Sequence, residues 1–474
     1  MDTPARAESR LAALAQISCA WCERWFPDAY VFAVVAVAVV VIAALVLGAP
    51  AAQVATSFGE GYWSLIPFTM QMTFIVIGGY VTADSPPVSK LIQRLGVVPR
   101  TGRSAVMLVA LFAMLMSLIH WGLALILASL LVRAIAQRKD LRLDYRAAGA
   151  AACLGMGSVW ALGLSSSAAQ LQANAASMPP AMRAITGLIP FTETIFRWQS
   201  LLLAAVIIAV SAWTAYRSAP DDKRACVAED LGVSLESRKA SDPGPTRPGE
   251  WLENSPIPNV LIVVLAATWL VQQVAAKGLM VAISSLNTYN LIFIMLGLLL
   301  HWTPRRFIDS VMRSVPNVAS ILIQFPLMGA IAAILTGAAN SGGATLATVL
   351  SDAFTHVASH GTFALFIGIY SAVLGLFIPS GGGKWVIEAP YVMQAASNLH
   401  YNLGWTVQIY NAAEALPNLI NPFWMLPVLG VLGLKARDLI GYSFIQFLIN
   451  TPLVLFLLWL LGGTLSYQPA TPIP

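Results

Sequence analysis

The chain has 474 residues, 58% of them hydrophobic and only 10% charged, with a formal net charge of +5 and a mean hydropathy of +0.73. Soluble domains carry about 25% charged residues, so the composition excludes a soluble fold and predicts an all-α polytopic membrane protein. The apolar runs are too long and too continuous for barrel strands, and the basic residues sit in short loops, where they orient spans rather than bind nucleic acid.

Residues 1–28 hold Arg6, Glu8, Arg10, Glu23 and Arg24 without an apolar core or a small-residue cleavage site, which predicts an amphipathic cytoplasmic segment and no cleaved leader. Cys19 and Cys22 form a C-x-x-C pair, but no second pair or histidine cluster accompanies them. They read as small residues on that segment, and no metal site is expected. Apolar runs follow at 29–48, 62–83, 104–134, 147–176, 198–216, 257–275, 287–302, 316–338, 363–400, 404–434 and 439–463. Basic clusters around Arg100, Arg138, Arg224, Arg306 and Lys435 place their loops on the cytoplasmic side.

Both ends of 104–134 are basic, so both should lie on one face, yet two full crossings need about 40 residues. A re-entrant hairpin open to the cytoplasm, with His120-Trp121-Gly122 at its tip, fits both facts; one long tilted helix is the alternative. Neither end of 363–400 carries Lys or Arg, and Pro379-Ser-Gly-Gly-Gly383 breaks its middle, which predicts a second hairpin open to the outside. Each hairpin is followed by a run interrupted by polar and helix-breaking residues. Counting crossings gives two inverted repeats, 29–216 and 287–463, joined by a linking span at 257–275: about nine transmembrane helices plus two re-entrant hairpins, an arrangement common in secondary transporters. Residues 217–256 turn charged and rich in Pro and Gly, which predicts a flexible cytoplasmic linker without a packed core; 86–103 and 303–315 read as interfacial helices and 464–474 as a polar tail.

Between Ser314 and Leu434 the only Lys or Arg is Lys384, within Ile378-Pro-Ser-Gly-Gly-Gly-Lys-Trp-Val-Ile-Glu388. A charge at that depth is costly and usually handles substrate or ion, and broken backbone there is tolerated only where it lines a cavity. Helix N-terminal amides near Gly381, Gly382 and Gly383, with Ser380 and Lys384, would suit a carboxylate. The alternative is that Glu388, one turn on, neutralises Lys384. Glu414 is the other deep acid, placed either to carry a proton together with Glu388 or to pair with Lys384 and cap a broken helix. Asn418 and Asn421 flank Pro417 and Pro422, and either contact substrate or replace lost backbone bonds. His120 and Trp121 are candidates for substrate or proton handling, against a structural role at the tip. Ser158 and Ser165–Ser167 could supply hydroxyls, although serine in membrane helices often serves packing. Trp160, Phe377, Trp385 and Trp424 could contact an acyl chain.

Phe26-Pro-Asp-Ala-Tyr-Val-Phe32, the 378–392 segment, Ala413-Glu-Ala-Leu-Pro-Asn-Leu-Ile-Asn-Pro-Phe-Trp424 and Leu434-Lys-Ala-Arg-Asp-Leu-Ile-Gly-Tyr442 resemble the bacterial short-chain fatty acid permeases of the ion-transporter superfamily. The resemblance implies uptake of acetoacetate and butyrate-like acids, a scaffold domain and a mobile domain carrying the hairpins, a homodimer working as an elevator, and residence in the bacterial cytoplasmic membrane. No P-loop is present, so ATP drive is not expected, and no nucleophile motif supports the alternative of a membrane-embedded acyl-transfer enzyme. The expected partners are a small carboxylate, membrane lipid and a coupling ion, H+ in preference to Na+, with no other cofactor. A dicarboxylate carrier is the nearest alternative and would prefer a second fixed cation, for which His120 is available, or a second well-developed serine or asparagine tip.

Overall fold

The structure is a computed structural model that describes residues 29–468 apart from 65, 165, 174–185, 236–246, 280–281, 283–285, 347, 350–358 and 378–380. The expected amphipathic segment with its two cysteines, Ser165 and Ser380 therefore lie outside the described residues. The first part of the chain forms α1 (Ala29–Val46), α2 (Ala51–Ser64), α3 (Ile66–Asp84), α4 (Pro86–Val97), α5 (Gly102–Ile119), α6 (Trp121–Ala136), α7 (Tyr145–Ser158), α8 (Ser167–Ala173) and α9 (Trp198–Ser218). After a short α10 (Glu250–Asn254) come α11 (Ile257–Lys277), α12 (Leu286–His301), α13 (Pro304–Ser314) and α14 (Ala319–Gly337). The last part holds α15 (Phe363–Phe377), α16 (Gly381–Asn398), α17 (Leu403–Ala415), α18 (Pro422–Leu432) and α19 (Ala436–Gly462).

Local chemistry sets many of these boundaries. Thr101 and Ser104 form a capping box at α5, Asp144 caps α7 through Ala147 N, and Asn402 caps α17 through Trp405 N, each satisfying amides that a helix start leaves open. Proline opens α4, α13 and α18, where its missing N–H costs nothing.

Among the described residues six helical segments are long and apolar enough to cross a membrane, or seven if α17 and α18, bent by 54°, count as one span. α1, α6, α12, α14 and α15 contain shorter apolar stretches. The run expected at 62–83 is longer than the sequence reading gave it, extending over Ala51–Asp84.

Packing sorts the helices into two groups. In one, α14 lies against α1 and α2, and α12 against α3 and α11. In the other, α5 packs on α6, α7 and α9, α15 packs on α17 and α19, and α19 joins both sets through α7 and α9. The groups meet where α6 crosses α3 and α4 and where α18 faces α14. α11 sits at the edge, only 11% of its apolar window buried, whereas the window over α7 and α8 is 89% buried. Composition explains the contrast, because the Ala/Gly-rich α7 lets neighbouring backbones approach closely while α11 is bulky and apolar all round.

In each half one helix pair folds back on itself. Arg138, just past α6, donates to the carbonyls of Gly96 and Pro99, just before α5, so both ends of α5–α6 lie together. His360 and Phe363 stand 5.3 and 4.8 Å from the ring of Tyr401, so both ends of α15–α16 also meet. Each pair is followed by a helix that breaks, after Ser158 and after Ala415, and then by long α9 or α19.

The expectation of a flexible linker over 217–256 needs correction in its first part. Asp221 pairs with Arg103 at 3.0 Å, Cys226 N donates to the Asp144 carboxylate while its carbonyl accepts from Tyr145 N, and Ser234 and Leu235 carbonyls accept from Arg133 and Gln137. Ala219, Ala225 and Ala228 are buried. Small residues and backbone hydrogen bonds to helix ends anchor this segment, contacts that a composition of charge, Pro and Gly does not reveal.

Candidate functional site

The first tip is a one-residue break. His120 is extended (φ −157°, ψ 115°) between α5 and α6, and its Nδ1 accepts from Leu123 N at 3.1 Å, capping α6. Its ring packs against Trp121 and Phe293. Trp121 then reaches the second half, with its ring 5.5 Å from that of Trp424, edge to face.

The second tip is built around a fully buried ion pair. Lys384 Nζ lies 3.3 Å from Glu388 Oε1, one turn along α16, and both side chains are 0% exposed. The ammonium also donates to the Ser371 carbonyl at 2.8 Å and stands 4.5 Å above the ring of Tyr410, a favourable cation–π distance. Ser371 Oγ donates to the other Glu388 oxygen at 2.7 Å, and Tyr410 Oη donates to the Gly381 carbonyl at 2.5 Å. α15 makes this possible through Gly368, Ser371 and Gly375, which recur every three or four residues: Ser371 bonds to α16, and a methyl on Gly375 would lie 2.9 Å from Pro417 and 3.8 Å from Lys384 Nζ.

The two broken helices cross beside this pair. Asn418 Nδ2 donates to the Met156 carbonyl at 3.2 Å, and Asn421 Nδ2 reaches the Leu376 carbonyl, next to the second tip, at 3.3 Å. A methyl on Gly381 would stand 2.5 Å from the Trp160 ring and 3.0 Å from Glu414 Oε2, so glycine is required for α16 to begin this close to both. Ser167 packs on Gly382. Here the polar groups are not all spent: both Glu414 oxygens, Asn418 Oδ1 and the indole N–H groups of Trp160, Trp385 and Trp424 are buried with no hydrogen-bond partner among the described residues. Burying a polar group without a partner costs about 1–3 kcal/mol each, so their concentration marks a place built for something beyond packing. Among the described residues one ammonium, Lys384, stands against two carboxylates, Glu388 and Glu414, the latter 1% exposed.

Residues 10–461 match the family described as Short chain fatty acid transporter. The chain belongs to the short-chain fatty acid transporter family. It is 32% identical over 423 residues to a protein of Escherichia coli (strain K12) named provisionally as a short-chain fatty acid transporter, with 88% of this chain and 92% of that one covered. A Haemophilus influenzae protein of the same provisional name is 27% identical, over 92% of this chain and 97% of its own. Among solved structures, Neisseria gonorrhoeae MtrF, from a class of antimetabolite efflux pumps, matches with a TM-score of 0.44 and 13% identity, over 95% of this chain and 97% of that one. The Alcanivorax borkumensis YdaH transporter gives 0.43 and 15%, over 92% and 98%.

This multi-pass membrane transporter, which is not an enzyme, brings together much of the set of residues picked from its sequence. Gly381, Gly382, Lys384, Glu388, Glu414 and Asn418 form one cluster, with Ser380 beyond the described residues. Lys384 is held by Glu388, the Ser371 carbonyl and the Tyr410 ring. Asn421 replaces lost backbone bonds: its Oδ1 accepts from Phe423 N at 3.1 Å. Ser158 bonds back to the Leu154 carbonyl, a packing role. His120 caps its own helix, and Trp121 meets Trp424 in the first turn of α18. Sequence reading passed over Ser371 and Tyr410. The small-residue spacing 368–371–375 and the i, i+4 relation of Tyr410 to Glu414 were the available signals.

Proposed function

We propose that this chain is a cation-coupled secondary transporter taking up short-chain monocarboxylates across the bacterial cytoplasmic membrane, with Glu414 carrying the coupling charge as a proton. The observation that carries the reading is the fully buried Glu414 carboxylate without a hydrogen-bond partner among the described residues, beside an ion pair that already uses the one ammonium. A buried carboxylate without compensation is strongly disfavoured, so the cluster closes its charge when Glu414 holds a proton or a cation. Protonated, Glu414 becomes a donor, able to hydrogen-bond a substrate carboxylate arriving at the Gly381–Lys384 amides; ionised, it repels that carboxylate. Binding of substrate and proton is thereby linked at one site. Lys384 exchanges Glu388 for the substrate in this scheme, and the three indole groups flank the acyl chain.

The relatives' names supply the substrate class. The monocarboxylate is favoured over a dicarboxylate because His120 Nδ1 accepts a backbone hydrogen bond, which a doubly protonated imidazole cannot do, and so it offers no second cation. In this proposal the folded-back pairs are re-entrant hairpins in inverted repeats, the basic face and N-terminus are cytoplasmic, and the second helix group moves against the first in a homodimer.

Uptake of labelled acetoacetate, butyrate and succinate into proteoliposomes, under separately imposed proton and sodium gradients, tests the scheme. Butyrate or acetoacetate should accumulate with the proton gradient, and Glu414→Gln should abolish accumulation while exchange of substrate persists. Full sodium-driven uptake without a proton gradient overturns the proton assignment, and absence of carboxylate uptake under every gradient overturns the function.

A further inference from the structure

At the face carrying the basic clusters, the two helix groups part to leave a cleft of about 640 Å³. One wall comes from α3, α4 and the α13 end, the other from α6, and Leu235 of the docked linker closes a corner. Two guanidinium groups face it, one from each helix group: Arg313 and Arg133. Arg313 is committed, bonded at 2.6 Å to Asp84, which also accepts from Ser310. Among the described residues Arg133 is matched by no carboxylate; it donates long hydrogen bonds, 3.3 and 3.4 Å, to the carbonyls of Val431 and Ser234, and it also meets the Tyr145 side chain. Among the described lining residues the charged groups Asp84, Arg133 and Arg313 therefore carry one positive charge in excess, next to the apolar side chains of Ile92 and Leu130.

We infer that this cleft is a second ligand site, separate from the buried cluster at the second tip, and that it takes an oxyanion on an apolar stem. Arg133 supplies a fork of N–H donors that a phosphate or carboxylate can accept in pairs. Its present backbone contacts are long enough to be exchanged for a charged acceptor, and the apolar wall covers the stem. The volume lies in the range of small-molecule sites, and basic pockets between helices at a membrane face suit anionic headgroups. An occupant would touch both helix groups at once and hold them together. The ligand chemistry is common to an anionic phospholipid and a soluble amphiphilic anion.

Both sources can be tested with the full chain in phosphatidylcholine nanodiscs. One arm adds phosphatidylglycerol and counts retained lipid by native mass spectrometry; the other titrates hexyl phosphate by calorimetry. At least one probe should bind. Arg133→Gln should weaken it by about tenfold or more, the size of one charge-assisted hydrogen bond, and Arg133→Lys should weaken it less. Gln93→Glu, at an exposed position in the lining, leaves the fold untouched and cancels the excess charge, so it should produce a comparable loss. Retention of phosphatidylglycerol alone assigns the site to lipid, and binding of hexyl phosphate alone assigns it to a soluble anion. Failure of both probes to bind, or binding that is equal in wild type, Arg133→Gln and Gln93→Glu, overturns the inference.

Discussion

At the first tip the polar side chain serves the backbone: His120 caps α6, its ring is packed between Trp121 and Phe293, and no Lys, Arg, Asp or Glu lies between Ser104 and Val132. At the second tip a buried ammonium and two buried carboxylates gather near Gly381, with the indole N–H groups of Trp160 and Trp385 left without a hydrogen-bond partner among the described residues. The halves share a folded-back pair and a broken helix, yet their chemistry is unequal. The shared architecture positions two breaks beside each other. Charge is confined to one of them, and there each substitution should alter binding or coupling, whereas at the other it should alter only stability.

Lys384→Ala should break this contrast most severely, since it leaves Glu388 buried without its cation, at a cost of about 3–5 kcal/mol. A large drop in melting temperature should result. Lys384→Met with Glu388→Gln removes both charges and should recover most of that temperature while uptake stays absent; a double variant with normal uptake and unchanged affinity would remove Lys384 from the substrate site. Gly381→Ala should come next, because the added methyl meets the Trp160 ring and Glu414, an overpacking worth about 1–3 kcal/mol. Reduced substrate affinity together with reduced stability is expected, and relief by Trp160→Phe would locate the clash.

His120→Ala sharpens the comparison from the other side. Loss of a helix cap costs about 1 kcal/mol, and the proton dependence of uptake in proteoliposomes should remain that of wild type. A changed coupling ratio would make the first tip chemical as well. The smallest effect is expected at the docked linker: Asp221→Asn removes a partly exposed ion pair with Arg103, worth at most about 1 kcal/mol. Hydrogen exchange limited to 219–235, without loss of transport, is the outcome that fits a structural strap.

Much of this molecule follows from sequence by itself. Continuous apolar runs dictate helices because backbone polar groups in a bilayer must be satisfied within the segment. The isolated Lys384 beside three glycines pointed to the second tip, because a charge and broken backbone at depth are each expensive and rarely coincide without cause. Tertiary structure decided what the sequence left open. Whether Lys384 faces Glu388 or a ligand depends on rotamers and on the Ser371 carbonyl arriving from another helix. Glu414 has no hydrogen-bond partner among the described residues because the described parts of α15, α16 and the stretch around Trp160 approach it without presenting a donor. The linker docks through backbone carbonyls, which carry no signature in residue type. Segment-level burial is local and periodic, so the chain spells it out; the pairing of one buried charge with another depends on ångström-scale meeting of distant segments, and only the folded molecule determines it.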